Sequence, residues 1–226
     1  MAHLSFFIGA LIAGAVWLAM YLYHKDLRVG MLWGSLWGFP FGVIEIFYRE
    51  YWNPPSLFNL INKIGFGIED LMWAGFVAGI ASVTYNLFTN RTYTKIEGQK
   101  KTYLPFVVFL GAYLSAEIIF PNYSIYGLIV AFVLSSITTA ILRKDLVTKM
   151  LSNGFIFLVV YFVFYFIFVN LFPEFVGNYY SLKNISGIVL SGVPLEELVF
   201  AFVVGTGWST YFETMKGFRN IKIDPH

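Results

Sequence analysis

The sequence predicts an all-α membrane protein with about seven transmembrane helices, arranged as two parallel three-helix repeats joined by a connector helix. Three observations support this fold class. Of the 226 residues, 58% are hydrophobic and 12% are charged, whereas a soluble domain carries about 25% charged residues. The mean hydropathy is +0.69, and so few polar groups cannot cover a water-soluble surface. The apolar residues form segments of membrane-spanning length, and the two halves of the chain resemble each other.

Each apolar segment is long enough for a helix that crosses the membrane, which needs about 20 mostly apolar residues. Seven such segments lie at residues 4–23, 29–48, 65–88, 103–120, 123–142, 153–172 and 191–212. Only Pro121 and Asn122 separate the fourth segment from the fifth. These two helices are therefore expected to form a tight antiparallel pair.

The basic residues indicate the orientation of the helices. Three of the 15 Lys and Arg residues fall on the N-terminal side of the predicted membrane, and twelve fall on the other side. Because Lys and Arg accumulate in cytoplasmic loops, we expect an integral protein of a prokaryotic cytoplasmic membrane with its N-terminus outside and its C-terminus in the cytoplasm. No Lys or Arg falls inside a predicted helix. This argues against a retinal protein, since a retinal Schiff base requires a lysine within the membrane.

The composition argues against several partners and cofactors. A net charge of +2 gives no reason to expect nucleic acid as a partner. The chain has no cysteine, so disulfides and thiolate metal ligands are excluded. His3, His24 and His226 lie at or near the ends of predicted helices, where they cannot build a buried metal site. We expect no metal and expect membrane lipid as a partner, with the oligomeric state open.

An internal repeat divides the single membrane domain, residues 1–226. Lys25-Asp26-Leu27 recurs as Lys144-Asp145-Leu146, and Met-Leu follows each at the same spacing. Farther along, the segment that opens the third helix at residues 68–74 resembles residues 195–201, which open the seventh. We therefore predict repeat one at residues 1–90, a connector helix at 103–122 and repeat two at 123–214. A site at the interface of the repeats is common in membrane proteins.

Six carboxylates lie inside or at the edge of the predicted helices, and their positions place all of them in the outer third of the membrane. They are Glu45, Glu69, Asp70, Glu117, Glu196 and Glu197. Acidic residues within the membrane are costly and usually mark a functional site. Acids near helix N-termini are also favoured by the helix dipole. This stabilisation is the alternative explanation for the two adjacent pairs, Glu69-Asp70 and Glu196-Glu197. Glu45 and Glu117 are either partners of the paired acids or ordinary interfacial residues.

Opposed carboxylates in an apolar site are suited to acid–base chemistry, because one can remain protonated at neutral pH while its neighbour accepts a proton. Aromatic faces nearby, such as those of Trp73, Phe200, Phe76 and Phe202, can stabilise a carbocation through cation–π attraction. The aromatic stretch at residues 161–166 is interpreted as core packing or lipid contact instead.

The segment that opens the seventh helix resembles a known family. Its sequence, Pro194-Leu195-Glu196-Glu197-Leu198-Val199-Phe200, is similar to the Pro-x-Glu-Glu-x-x-Phe motif of the membrane lycopene cyclase domain, which occurs as two small subunits in some bacteria and as one fused chain in archaea and fungi. The resemblance implies that both halves are needed. It also implies a redox-neutral, isomerase-type β-cyclase that converts the acyclic ends of lycopene, a hydrophobic polyene, to β-ionone rings.

The resemblance assigns catalysis to Glu196 and Glu197, and the repeat adds Glu69 and Asp70 as their equivalents. Substrate contacts are expected from Pro194, Phe200, Trp73, Glu45 and Glu117. Repeat one departs from the motif, since Gly67 stands in place of Pro194 and Asp70 in place of Glu197. The two halves are therefore expected to differ in role. Replacing Glu196 or Glu197 by Gln is expected to abolish turnover.

No cofactor is expected. Soluble lycopene cyclases bind a flavin through a dinucleotide fold, but neither Gly65-Phe66-Gly67 nor Gly205-Thr206-Gly207 follows a predicted strand. Three alternatives stay open: a hydratase or isomerase of another polyprenoid, a small proton-coupled transporter, and a non-catalytic carotenoid or lipid carrier. The expected absence of broken helices argues against a transporter.

Overall fold

The computed structural model describes residues 4–95, 97–99 and 101–222; His3, Lys100 and His226 lie outside these ranges. About 75% of the structure is helical. The helices are α1 (Ser5–Tyr23), α2 (Arg28–Gly38), α3 (Leu60–Ile64), α4 (Ile68–Phe88), α5 (Leu104–Ile119), α6 (Ser124–Leu142), α7 (Val147–Leu171), α8 (Phe175–Tyr179), α9 (Leu195–Trp208) and α10 (Tyr211–Lys216). The strands are β1 (Arg91–Lys95), β2 (Val189–Leu190), β3 (Val193–Pro194) and β4 (Phe218–Lys222).

Five helical segments of the described chain are long and apolar enough to cross a membrane. They are Ser5–Tyr23, Lys25–Phe47, Ile68–Phe88, Ser124–Leu142 and Lys144–Leu171. The fourth predicted segment forms α5, which is apolar but has 16 residues. As predicted, α5 packs along α6 after the turn at residues 121–122.

The seventh predicted segment, at residues 191–212, is not one continuous helix. The β2–β3 hairpin occupies its start, α9 ends at Trp208, and Ser209 and Thr210 separate α9 from α10. A second irregularity follows α2. The last turns of the second predicted helix form a 3₁₀ helix instead, Phe39–Phe47, which contains Pro40. The expectation of unbroken helices, which argued against a transporter, was therefore wrong.

Lys149 lies inside a helix, although the sequence predicted no basic residue there. The sixth predicted helix begins at residue 153, but α7 begins at Val147 and so includes this lysine. Its side chain is 3% exposed and forms an ion pair with Glu213 of α10. Its Nζ also donates to the Ser209 carbonyl oxygen at 2.7 Å. The helix therefore does contain a lysine. The argument against a retinal Schiff base now depends on the ion pair with Glu213, which engages this amine.

The same order of packed elements occurs in both halves of the chain. α4 packs against α1 and α2, and α9 packs against α6 and α7. In each half a 3₁₀ turn links the first helix to the second, at Lys25–Leu27 and at Lys144–Leu146. α4 also contacts α7 and α9, so the two sets of helices share one core.

Close helix contacts occur at positions that are equivalent in the predicted repeat. A Cβ added to Gly34 of α2 would lie 3.0 Å from the Ala78 carbonyl oxygen of α4. A Cβ added to Gly205 of α9 would lie 2.9 Å from the Asn153 carbonyl oxygen of α7. Asn153 also donates to the carbonyl oxygens of Gly205 and Ala81, at 2.7 and 3.0 Å. The Asn153 side-chain amide therefore joins α7 to α4 in the first half and to α9 in the second half.

The described residues also form two short antiparallel sheets that were not predicted from the sequence. β1 pairs with β4, which ties the segment after α4 to the end of the described chain. β2 pairs with β3 in a hairpin immediately before α9. The hairpin is continued by Leu195, whose N–H donates to the Ile188 carbonyl oxygen at 2.9 Å. The start of α9, which carries Glu196 and Glu197, is thereby fixed.

Candidate active site

An apolar cavity of about 1030 Å³, counting the space open to the outside, lies among the helices of both halves. Most of its lining is aromatic, with Phe, Tyr and Trp side chains from α1, α4, α6, α7, α9 and the segments between them. Among the described residues that line it, the carboxylates are Glu45 and Glu197. Glu45 belongs to the first half of the chain and Glu197 to the second, so the cavity combines groups from both halves.

Two loops pair with each other beside the cavity. The Asn53 N–H donates to the Tyr179 carbonyl oxygen at 2.9 Å, and the Ser181 N–H donates to the Tyr51 carbonyl oxygen at 2.8 Å. Trp52 and Tyr180 form an antiparallel bridge between these contacts, with ring centroids 4.5 Å apart. Pairing of the loops therefore brings Tyr51, Trp52 and Tyr180 to the cavity wall.

Glu197 is held by tyrosine hydroxyl groups on both of its carboxylate oxygens. Tyr161 donates to Oε2 at 2.8 Å, and Tyr180 donates to Oε1 at 2.9 Å. Tyr165 and Tyr180 share a further hydrogen bond of 2.6 Å. Because the single hydroxyl proton of Tyr180 goes to Glu197, Tyr165 is the donor in that contact. A chain of hydroxyl groups thus ends on the carboxylate.

Glu45 has different surroundings. It lies in the 3₁₀ segment after α2 and is half-buried. Its side chain lies near the Trp52 indole and near the carboxyl groups of Asp70 and Glu197. Its Oε2 atom is buried and has no hydrogen-bond partner among the described residues. Glu45 therefore has fewer donors than Glu197.

Gly42 allows the 3₁₀ segment to approach the start of α4. A Cβ at this position would lie 2.5 Å from the backbone nitrogen of Leu71. Asp70 is the residue before Leu71, and its Oδ2 accepts the Gly67 N–H at 2.5 Å, which caps α4. Its Oδ1 is buried without a partner in the described chain. The close approach at Gly42 thus positions Asp70 relative to Glu45.

Glu69 and Glu196 bind the loops that precede their helices. Glu69 Oε1 accepts the Leu57 N–H at 2.5 Å. Glu196 Oε1 accepts the Ser186 N–H at 2.8 Å and the Tyr126 hydroxyl at 2.9 Å. Both side chains are buried, and neither lines the cavity. The first acid of each pair therefore fixes a loop, in the same way in both halves.

The remaining predicted site residues divide between the cavity and its surroundings. Trp73 and Phe200 line the cavity. Glu117 instead accepts a hydrogen bond of 3.0 Å from Ser124 at the start of α6. Pro194 is buried and occupies the position immediately before the first residue of α9. Of the predicted residues, the structure thus brings together Glu45, Glu197, Trp73 and Phe200, and it places the others outside the lining.

The tyrosines of the cavity were not predicted from the sequence as site residues. The stretch at residues 161–166 was interpreted as packing or lipid contact, and Val163 and Phe166 are indeed exposed on the helix surface. Tyr161 and Tyr165, however, are buried and line the cavity. Their i, i+4 spacing places them on one face of α7, a signal that the sequence contained. The position of Tyr180 depends on pairing between distant loops and had no such signal.

Comparison with known protein families gives a match in the second half of the chain. Residues 122–215 match the lycopene cyclase family. This segment contains α6, α7, α9 and the Pro194–Phe200 motif. No curated protein and no solved structure matches the chain. The resemblance to the lycopene cyclase family that the motif predicted is therefore confirmed over residues 122–215.

Proposed function

We propose that this protein converts the acyclic ends of lycopene to β-ionone rings by acid–base catalysis in the aromatic cavity. The observation that carries the proposal is the pair of carboxylates, Glu45 and Glu197, in one aromatic cavity of a chain with a lycopene cyclase segment. Ligand pockets are lined mostly by apolar and aromatic side chains with a few polar groups. The cavity has this character and suits a polyene end group.

The cavity offers what a carbocation route requires. Protonation of a double bond needs an acid, and termination of the cation needs a base that removes a proton. Aromatic rings from both halves, including those of Trp73 and Phe200, surround the space and can stabilise positive charge. Exclusion of water by such a lining protects a carbocation from capture. Glu45 and Glu197 act on the substrate, while Glu69 and Glu196 hold the loops that complete the site.

We also propose that the two halves are repeats, at residues 1–90 and 123–214, with the helix at 103–122 as connector. The equivalent 3₁₀ turns, the central position of α4 and α9, and the matching loop contacts of Glu69 and Glu196 support this interpretation. In this arrangement α5 and the α9–α10 unit complete seven membrane crossings.

The test is pigment analysis in cells that accumulate lycopene. The wild-type protein is expected to produce β- or γ-carotene, because one end or both ends are cyclised. The double variant Glu45→Gln/Glu197→Gln is expected to produce neither. Glu174→Gln is the matched control, since Glu174 is exposed and lies outside the cavity lining, and it should give the wild-type product. Unchanged lycopene in cells with well-inserted wild-type protein would refute the proposal.

The same experiment separates the other functions. A hydratase would add the mass of water to the polyene, whereas a cyclase conserves the mass. A carotenoid carrier would bind pigment without changing it. For a proton-coupled transporter, proton flux in proteoliposomes is the decisive measurement, and a flux abolished by the double variant without any cyclic product would favour that class.

A further inference from the structure

The two carboxylates of the cavity have unlike hydrogen-bond partners. Glu197 accepts a tyrosine hydroxyl on each oxygen, whereas Glu45 has a buried Oε2 atom without a partner among the described residues and lies near the Trp52 indole. We propose that Glu45 is the proton donor and Glu197 the proton acceptor of the cyclisation. This division of roles rests on the function proposed above and deepens it, because it assigns each half of the chain one of the two proton transfers.

The surroundings of Glu197 suit a carboxylate. An ionised carboxyl group only accepts hydrogen bonds, and hydroxyl donors to a charged acceptor are stronger than those to a neutral one. Tyr161 donates to one oxygen and Tyr180 to the other, and Tyr165 in turn donates to the Tyr180 hydroxyl group. Such a chain of hydroxyl groups strengthens each of its bonds by polarisation. These donors favour the charged form of Glu197, which a proton acceptor requires.

The surroundings of Glu45 suit a neutral carboxylic acid. A neutral acid has one carbonyl oxygen that accepts a hydrogen bond and one O–H group that donates. The Trp52 indole lies beside the side chain, where it can serve as the single donor that this form needs. An ionised Glu45 would leave a buried oxygen unpaired, which is costly in an apolar site. No Lys or Arg belongs to the described cavity lining to balance that charge. The O–H group is left for the substrate.

The reaction balances with these two groups alone. The terminal double bond takes the Glu45 proton, and its electron pair forms the new C–H bond. The internal double bond then supplies the electron pair that closes the ring and moves the positive charge onto the ring. Glu197 takes a proton from the neighbouring ring carbon, and that C–H pair becomes the ring double bond. Each turnover leaves Glu45 ionised and Glu197 protonated, and transfer of one proton between them restores the starting state.

Separate substitution of the two acids tests this assignment in lycopene-producing cells. Glu45→Gln removes the first step, so lycopene should remain unchanged, with ring formation reduced by at least about 100-fold, the usual contribution of a general acid. In contrast to the loss of turnover expected from the motif alone, Glu197→Gln leaves the first step intact, so lycopene should still be consumed. Its cation should then lose a different proton, which gives ring isomers of unchanged mass, or capture water, which adds the mass of water.

Two milder variants keep the test decisive if Glu197→Gln does not insert. Tyr161→Phe and Tyr180→Phe each remove one donor from Glu197 but keep the ring, and both should shift products towards the same isomers or hydrated rings. Tyr211→Phe is the matched control, because Tyr211 is a buried tyrosine bonded to Ser135 outside the cavity lining. It should give the wild-type product distribution.

The opposite pattern overturns the assignment. In that result Glu197→Gln leaves lycopene untouched while Glu45→Gln yields isomers or hydrated rings. Complete loss of product in both Gln variants, with unchanged product distributions in Tyr161→Phe and Tyr180→Phe, also overturns it. Either result would leave the cyclase proposal intact, because that proposal fails only when the wild-type protein forms no cyclic product.

Discussion

Glu196 and Glu197 are neighbours in the chain, yet their side chains meet different surroundings. Successive residues of an α-helix point about 100° apart. Glu196 therefore turns towards the loop at Ser186, while Glu197 turns into the cavity towards Tyr161 and Tyr180. At the scale of single residues, the local helix geometry decides which acid can meet a substrate. The same reasoning applies to the aromatic side chains farther along α9.

Phe200 and Phe202 provide a matched pair for the role of aromatic rings in catalysis. Phe200 lines the cavity, whereas Phe202 packs elsewhere, with its ring 5.0 Å from that of Phe155. If Phe200 stabilises the carbocation, Phe200→Leu should reduce the turnover rate by about 2- to 30-fold, the range that cation–π energies of ~0.5–2 kcal/mol imply. The measurement is the initial rate of ring formation in nanodiscs. Phe202→Leu serves as the control, and equal rate losses in the two variants would argue against a direct role for Phe200.

At the scale of elements, the apolar segments predicted the long helices well but not their ends. α7 begins six residues before the predicted residue 153, since the turn at Lys144–Leu146 leads directly into it. Sequence hydropathy placed Lys149 in a loop, because its ion pair with Glu213 of α10 could not be foreseen. Hydropathy also gave no sign of the interruption between α9 and α10 at Ser209 and Thr210. Hydropathy measures apolar content and does not record which polar groups find partners.

The candidate site was predictable in part. The acids were visible because carboxylates are rare in apolar segments, and the motif singled out the pair Glu196 and Glu197. Trp73 and Phe200 followed from their positions one turn beyond the paired acids. The distinction between Glu45 and Glu69 was not visible, because it depends on a 3₁₀ segment that brings Glu45 to the cavity while Glu69 binds Leu57. Contacts between distant segments decided which acids share the cavity.

The contact between the 3₁₀ segment and α4 depends on Gly42. In Gly42→Ala the new methyl group would lie 2.5 Å from the Leu71 nitrogen, so α4 must shift and carry Asp70 with it. We expect a loss of about 1–3 kcal/mol of stability, typical of overpacking, together with slower ring formation. Thermal unfolding in nanodiscs and the cyclisation rate measure the two effects.

Gly111→Ala is the control for that substitution. Gly111 lies in α5, and a methyl group added there would have no neighbouring atom of the described chain within 4 Å, so alanine should preserve both stability and rate. Wild-type behaviour of Gly42→Ala would show that the first turn of α4 can move without cost, and it would remove the reason to assign Gly42 a part in positioning the acids.

At the scale of the whole molecule, the cavity depends on both halves. Glu45 and Trp73 come from the first, Glu197 and Phe200 come from the second, and the loops of the two halves pair at Trp52 and Tyr180. The family match covers residues 122–215. Of the two cavity carboxylates, this segment contains Glu197 but not Glu45. A segment with the family motif is therefore insufficient to build this cavity.

The charge distribution predicts that the paired loops lie on the outer side of the membrane, with the C-terminus in the cytoplasm. The chain has no cysteine, so single cysteines can report this orientation against a silent background. Asn178 and Lys144 are both exposed, and they lie beyond opposite ends of α7. In spheroplasts a membrane-impermeant maleimide should label Asn178→Cys, whereas Lys144→Cys should react only after the membrane is opened, because α7 separates the two sites.

The unsubstituted protein controls for background labelling. Labelling of Lys144→Cys alone in closed spheroplasts would reverse the orientation, and labelling of both would mean that α7 does not cross the membrane.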